Sequence, residues 1–100
     1  MLLAILTNID RFLKPFDLTR EQLHLLRNLE RQQGRTEREI GAATGKSSAR
    51  TTRILDMLEK KNLIVRQENP EERRSQLVLL TVEGAELRNE MSRLLETLSP

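Results

Sequence analysis

A short segment near the middle of the chain brings together the side chains that proteins use to contact DNA. Arginine pairs with guanine edges, serine and threonine bond to bases or phosphates, and alanine allows close approach or meets a thymine methyl group. These types occur together at Ser48, Ala49, Arg50, Thr52 and Arg53. They fall at the amino end of a predicted helix, whose free amide groups and positive dipole end also favour phosphate. The segment therefore predicts binding to the major groove of duplex DNA.

A purely structural interpretation of the same residues is also open. Arg50 and Arg53 would then only solvate an exposed helix face, with Asp56 in reach of Arg53 for a surface ion pair. The context favours DNA binding, because Gly45 before this helix suits a left-handed helix stop and a basic hairpin follows it.

The elements that position these residues form a helix-turn-helix over residues 36–61. Thr36 with Glu39 fits a capping box that opens the first helix, whose predicted inward residues are Ile40, Gly41, Ala42 and Ala43. Glycine costs roughly 1 kcal/mol of helix propensity, so we expect the next helix to approach closely at Gly41. Ser47 or Ser48 caps that next helix, Asn62 ends it, and its inward face consists of Thr51, Ile54, Leu55 and Leu58. Thr36 at the start of the first helix, with Lys46 and Ser47 at the turn, completes the predicted DNA contacts on this motif.

Residues 63–80 predict a β-hairpin, here called the wing. Leu63–Val65 and residues 77–80 suit two strands, and Asn69-Pro70 suits the turn between them. Arg73 and Arg74 would enter or line the minor groove, where a narrow groove favours arginine, with Glu72 orienting one of them. Mixed charge is also typical of a solvated loop or a guarded edge strand, and Arg66, Glu68 and Glu71 add to that pattern.

Further helices flank this unit. Thr19 and Gln22 fit a capping box that opens a Leu-rich helix ending at Gly34, and apolar stripes cover residues 1–14 and 82–98. The two stripes hold more apolar surface than a small core needs, and soluble monomers rarely expose such a patch. We therefore predict dimerisation helices and a homodimer, while packing of the two helices on each other within one chain stays open. The predicted interface residues are Leu2, Ile5, Leu6, Ile9, Phe12, Leu13, Met91, Leu94, Leu95 and Leu98.

Length and composition place all of this in one domain, residues 1–100, of mostly helical α+β class: a winged helix-turn-helix with a two-stranded wing. Only Phe12 and Phe16 are aromatic, so the chain lacks a platform for stacking single-stranded bases. The net charge is only +2, but eight cations against five anions lie between Lys46 and Arg74. Positive charge therefore collects in the predicted DNA-binding part.

The same composition argues against several other classes. Cysteine is absent, which excludes disulfides, thiolate zinc sites and thiol redox control. The sole histidine, His24, lies on the Leu-rich helix without a second ligand, so we predict no catalytic residue, no metal, no cofactor and no enzyme activity. The absence of cysteine favours a cytoplasmic protein. The opening MLLAIL is too short for a signal core, and no membrane segment is expected after it.

The segment TEREIGAATGKSSARTTRILDMLEKKNLIVRQENPEERRSQLVLLT, with LTREQLHLL before it, resembles the MarR (multiple antibiotic resistance regulator) family of transcription factors. RILDMLEKKNLI is similar to the exit of the family's recognition helix, NPEERR to its wing turn, and LLTVEGAEL to its junction with the last helix. The resemblance implies a sequence-specific regulator of double-stranded DNA, a repressor. It places Ser48, Arg50, Thr52 and Arg53 in the major groove and Arg73 or Arg74 in the minor groove.

The chain departs from the family pattern in a few places. Glu72 replaces the usual Asp of the wing, and Thr44, Lys46 and Thr51 replace apolar residues between the two helices. The chain also begins late in the family's first helix and stops before its usual final helix, which are parts that make much of the dimer. A small-molecule effector is therefore left open, and salicylate-type phenols are expected to bind weakly or not at all. A winged helix that binds proteins instead of DNA remains the alternative function.

Overall fold

The computed structural model describes residues 2–97 and contains five α-helices and a three-stranded sheet in that range. The helices are α1 (Leu2–Leu13), α2 (Arg20–Leu26), α3 (Glu37–Thr44), α4 (Ser48–Lys60) and α5 (Val82–Glu96). A 3-10 turn over Lys14–Phe16 follows α1, and the strands are β1 (Arg35–Thr36), β2 (Ile64–Glu68) and β3 (Gln76–Leu80). The predicted winged helix-turn-helix is confirmed, and no helix in the described range is long and apolar enough to cross a membrane.

Local capping chemistry defines the starts of the central helices. Thr36 and Glu39 form the predicted capping box at α3, and Thr19 and Gln22 form the one at α2. Ser47, rather than Ser48, caps α4 by accepting a hydrogen bond from the Arg50 amide. Between α3 and α4, Gly45 has the predicted left-handed conformation, with φ of 71°. Gly45 ends α3 and Ser47 caps α4, so the turn between the two helices is defined by residues close in sequence.

The sheet differs from the predicted two-stranded hairpin by one short strand. β3 lies in the middle, pairing antiparallel with β2 on one edge and with β1 on the other. Thr36 of β1 lies opposite Leu77, and Glu68 of β2 lies opposite Gln76. Two residues make too weak a sequence pattern to predict a strand, and β1 forms because β3 offers it an open edge.

Two details of the predicted helices are wrong. α2 ends at Leu26 and not at Gly34, because the chain needs the intervening residues to reach the edge of β3. In α3, Ala42 and Ala43 are exposed, and the inward face consists of Ile40, Gly41 and Thr44. The close approach at Gly41 is confirmed, since a Cβ there would lie 3.2 Å from Thr51 Oγ1 on α4.

The core lies between the helix-turn-helix, the base of the wing and the flanking helices. Its fully buried side chains include Leu25, Leu26, Leu55, Leu58 and Val78. From α1 and α5, Leu13 and Met91 join this core at 1% exposure each, so their own chain covers them and they drop out of the predicted dimer interface. Ile9, Leu94 and Leu95 are partly buried against the core, while Leu2 and Ile5 are 70% and 44% exposed. Leu98 lies outside the described residues.

Candidate nucleic-acid interface

The amino half of α4 presents the side chains predicted to contact DNA. Thr51, Ile54, Leu55 and Leu58 point inward, as the sequence predicts. That placement turns Ser48, Arg50, Thr52 and Arg53 outward, and all four are exposed. Arg53 has no hydrogen-bond or ion-pair partner among residues 2–97, so its guanidinium group is free for a ligand. Helix geometry places Ser48 with Thr52, and Arg50 with Arg53, on two adjoining parts of the exposed surface of α4.

Arg50 is held by a carboxylate that the sequence analysis did not identify. Its Nε donates to Oε2 of Glu21, in the first turn of α2, at 2.6 Å. The same hydrogen bond lowers the pKa of the Glu21 carboxyl and raises that of Arg50, so both groups are charged at neutral pH. Because Glu21 binds Nε, the two terminal nitrogens of Arg50 stay available. Those are the donors that can pair with O6 and N7 of guanine.

Two other predicted contacts have partners within the protein. Thr52 Oγ1 donates to Glu37 Oε1 on α3 at 2.9 Å. Lys46 is half-buried, with its Nζ 3.5 Å from Nδ1 of His24. A hydroxyl that donates to a carboxylate can still accept a hydrogen bond, so Thr52 remains able to meet an amino group of a base.

Thr36 and Ser47 act mainly as helix caps. Thr36 Oγ1 accepts from the Glu39 amide and donates to Glu39 Oε1, both at 3.1 Å. The backbone N–H of Thr36 also donates to that carboxylate, and these bonds hold the pKa of Glu39 below its ordinary value. Ser47 Oγ only accepts in its cap, so its hydroxyl proton remains available for a phosphate, whereas the Thr36 hydroxyl already donates to Glu39.

The wing tip carries two exposed arginines. Arg73 and Arg74 lie in the turn after Asn69-Pro70, and neither has an acidic partner within ion-pair distance in the described part of the chain. The Glu72 carboxylate therefore contacts neither of them in this structure. Instead, the buried Asn69 organises the turn: its Oδ1 accepts from the Glu71 amide at 3.0 Å and its Nδ2 donates to Ser75 Oγ at 2.9 Å.

Arg66, the third arginine of the wing, points into the protein. Its side chain is 10% exposed and is surrounded by carboxylates of α3 and α4. Nη1 donates to Glu59 Oε1 at 2.8 Å, Nη2 lies 3.0 Å from Asp56 Oδ1, and Nε lies 3.4 Å from Glu37 Oε2. Burial by itself would lower the pKa of Arg66, but the three carboxylates together raise it. Asp56 thus pairs with Arg66 and not with Arg53.

The sequence profile of the MarR family matches residues 18–76, which run from the start of α2 to the wing. A search of curated proteins finds no match.

Solved structures with the same fold are numerous. The S. aureus MepR–DNA complex is 30% identical, with a TM-score of 0.82, covering 89% of this chain and 73% of that one. The repressor CouR, bound to a 23-mer DNA duplex, is 29% identical with a TM-score of 0.85, covering 95% of this chain and 67% of that one. A mutant of E. coli MarR complexed with operator DNA is 26% identical with a TM-score of 0.79, covering 93% of this chain and 70% of that one. The chain therefore belongs to the MarR family.

Proposed function

We propose that this chain is a sequence-specific transcriptional regulator, a repressor, that binds double-stranded DNA with α4 in the major groove. The observation that carries the proposal is the row of exposed donor side chains on the amino half of α4. The DNA complexes of MepR, CouR and MarR support the same mode of use. The protein acts by binding alone, without catalysis, and its place of action is the cytoplasm.

Sequence recognition centres on Arg50 in this proposal. A guanidinium group that is fixed through Nε presents its terminal nitrogens in one orientation, and it loses less conformational freedom when it pairs with guanine. Glu21 therefore holds the Arg50 side chain in position. Arg53, one turn further along α4, has no such support and is the candidate for a second base or a phosphate. Ser48 and Thr52 supply shorter donors and acceptors on the adjoining side of α4, towards α3.

Contacts of the wing, and contacts to the phosphate backbone of DNA, supply binding affinity in this proposal. Arg73 and Arg74 project from the hairpin tip and contact the minor groove or its phosphates. Lys46 and Ser47 lie at the amino end of α4, where the helix dipole favours phosphate. Contacts of this kind release counterions, so affinity falls as the salt concentration rises.

The functional unit in this proposal is a homodimer. The outer face of α1 exposes Leu2 and Ile5, and the partly buried Leu6, Ile9, Phe12, Leu94 and Leu95 continue the apolar surface across α1 and α5. A two-fold dimer would present two copies of α4 to half-sites about one helical turn of DNA apart. The expected operator is therefore a pseudo-palindrome.

Selection from a random duplex library tests the proposal. The full chain is used to enrich duplexes, and fluorescence anisotropy then measures binding to the enriched duplex over a salt series. We expect a pseudo-palindromic consensus and an affinity that falls steeply with salt. As a matched control, Arg93→Ala removes an exposed cation of α5 and leaves affinity nearly unchanged, whereas Arg50→Ala weakens it.

The opposite results would count against DNA binding. If no sequence is enriched and residual binding to duplex DNA does not depend on salt, the helix-turn-helix serves another partner. The protein-interaction function considered from the sequence would then be the better account.

A further inference from the structure

Arg66 occupies the junction of three elements. It lies on β2, and its side chain fits between the first turn of α3, which contributes Glu37, and the carboxyl-terminal half of α4, which contributes Asp56 and Glu59. Its exposed fraction of 10% contrasts with 53% for Arg50, whose single ion pair lies at the surface. A planar guanidinium group can bind several carboxylates in fixed directions, which a lysine ammonium cannot reproduce.

The position of Arg66 at the base of the hairpin allows its contacts to affect where the wing tip lies. β2 is an edge strand, and β1 reaches β3 only as far as Leu77. Towards the tip, the hairpin is held only by the pairing of β2 with β3, which ends at Glu68 and Gln76, and by the hydrogen bonds of Asn69 in the turn. Side-chain contacts at the base of the hairpin therefore control how the tip lies relative to α4.

Glu37 extends this network to the candidate recognition surface. One oxygen, Oε1, accepts the hydrogen bond of Thr52 on the outward face of α4, while the other, Oε2, faces Nε of Arg66. That distance of 3.4 Å suits an ion pair, but Nε makes no hydrogen bond. A single carboxylate thus joins a predicted base-contacting side chain to the base of the wing.

We infer that Arg66 is a positioning residue, which fixes the angle between the wing and α4 so that both elements meet DNA as one rigid unit. The inference rests on the proposed function for its consequence in DNA binding. Its structural half, the fixed angle, concerns the protein without DNA.

A distance measurement on the free protein tests the fixed angle. Because the chain has no cysteine, spin labels can be placed specifically through Glu71→Cys on the wing tip and Lys60→Cys on α4. Labelled chain is diluted with unlabelled chain, so that distances within one copy are measured. We expect one narrow distance distribution, which broadens or shifts when Arg66→Gln is added.

The matched control is Arg88→Gln. Arg88 is another partly buried arginine, at 22% exposure, whose Nη1 binds the Leu29 carbonyl oxygen and Glu30 away from the wing. Its loss should leave the distance distribution unchanged. If Arg66→Gln does not fold, Glu37→Gln removes one partner and gives the milder test. An unchanged distribution in Arg66→Gln, or in Glu37→Gln where Arg66→Gln does not fold, would overturn the inference.

The salt dependence of duplex affinity tests whether the angle between the wing and α4 affects DNA binding. With the enriched duplex, replacing Arg73 and Arg74 by Ala is expected to reduce the slope of log affinity against log salt by about 1.8, at about 0.9 for each phosphate contact. In the Arg66→Gln background the same double replacement should change the slope by close to zero, because the tip is no longer held on the DNA. Arg66→Lys should not restore the full effect.

The two measurements separate the possible failures. A slope change of about 1.8 in both backgrounds would show that Arg66 has no positioning role, whatever it adds to stability. If the unmodified chain binds no duplex, the proposed function fails, and the spin-label distances still decide whether Arg66 fixes the wing.

Discussion

Replacing Gly84 by alanine gives the sharpest test of how α5 docks on the base of the wing. A Cβ at this position would lie 2.0 Å from the carbonyl oxygen of Leu63 and 2.9 Å from its carbonyl carbon. Carbon and oxygen atoms in contact are normally about 3.3 Å or more apart, so one of the two segments must move by more than an ångström. The Leu63 oxygen also accepts the Thr81 amide, and Thr81 Oγ1 caps α5 by accepting from the Gly84 amide.

The size of the effect follows from two opposing contributions. Forcing extra volume into a packed site costs about 1–3 kcal/mol, and a backbone obstacle favours the upper end. Alanine gains roughly 1 kcal/mol over glycine in a helix. We therefore expect the free energy of unfolding to fall by about 2 kcal/mol, which corresponds to a loss of roughly 8–16 °C in Tm for a chain of this length.

Thermal unfolding followed by circular dichroism measures this loss. Both proteins must be compared at one concentration, because dimerisation would make Tm concentration-dependent. Glu86→Ala is the control: it changes an exposed position on α5 beyond its first turn and should alter stability by less than about 0.5 kcal/mol. A Gly84→Ala protein as stable as the unmodified chain would refute the reasoning, since α5 would then move away from Leu63 without cost.

Four other predictions concern function and pH. Replacing Arg73 and Arg74 by Ala should weaken duplex binding on all sequences and flatten its salt dependence by about 0.9 per lost phosphate contact; an unchanged slope in anisotropy titrations would place the wing tip off the DNA. Arg53→Ala should cost roughly 1–3 kcal/mol and relax preference at one base pair if it reads guanine, whereas an equal loss on every sequence would show a phosphate contact. Hydrogen bonds from Thr36 lower the pKa of Glu39, so the stability that they add is present above the ordinary value of 4.5 and is lost as pH falls through the folded pKa. In Glu39→Gln the free energy of unfolding should therefore lose this part of its pH dependence in acid. Identical stability–pH profiles for the two proteins would contradict the prediction. Salicylate-type phenols should give little or no heat in calorimetry, and tight binding that also releases DNA would overturn that expectation.

Features that depend on residues close in sequence were predictable. A capping box needs only a hydroxyl and a carboxylate or amide three positions apart, so Thr36 with Glu39 and Thr19 with Gln22 are recognisable from the sequence alone. The left-handed Gly45 and Asn62 belong to the same class. The inward face of α4 followed from helical periodicity, and it fixed the exposed row of donors.

Features that depend on distant residues were not predictable. Glu21 and Arg50 are 29 positions apart, and nothing in either local sequence marks them as partners. β1 has only two residues and exists because β3 leaves an edge open. The exposed Ala42 and Ala43 show a related limit, since small residues carry little information about which face of a short helix is buried.

The three arginines of the wing illustrate how position, and not residue type, decides a role. Strand alternation contained a usable signal: Ile64 is buried, Val65 is exposed, and Arg66 shares the inward side with Ile64. An inward arginine must find acidic partners, because an unpaired buried charge is costly, and the three carboxylates of α3 and α4 meet that need. Arg73 and Arg74 lie past the last strand pair and face solvent. The mixed charge of the wing therefore has two separate parts. Arg66 and its carboxylates form an inner cluster at the base of the hairpin, and Arg73 and Arg74 form an exposed pair at its tip.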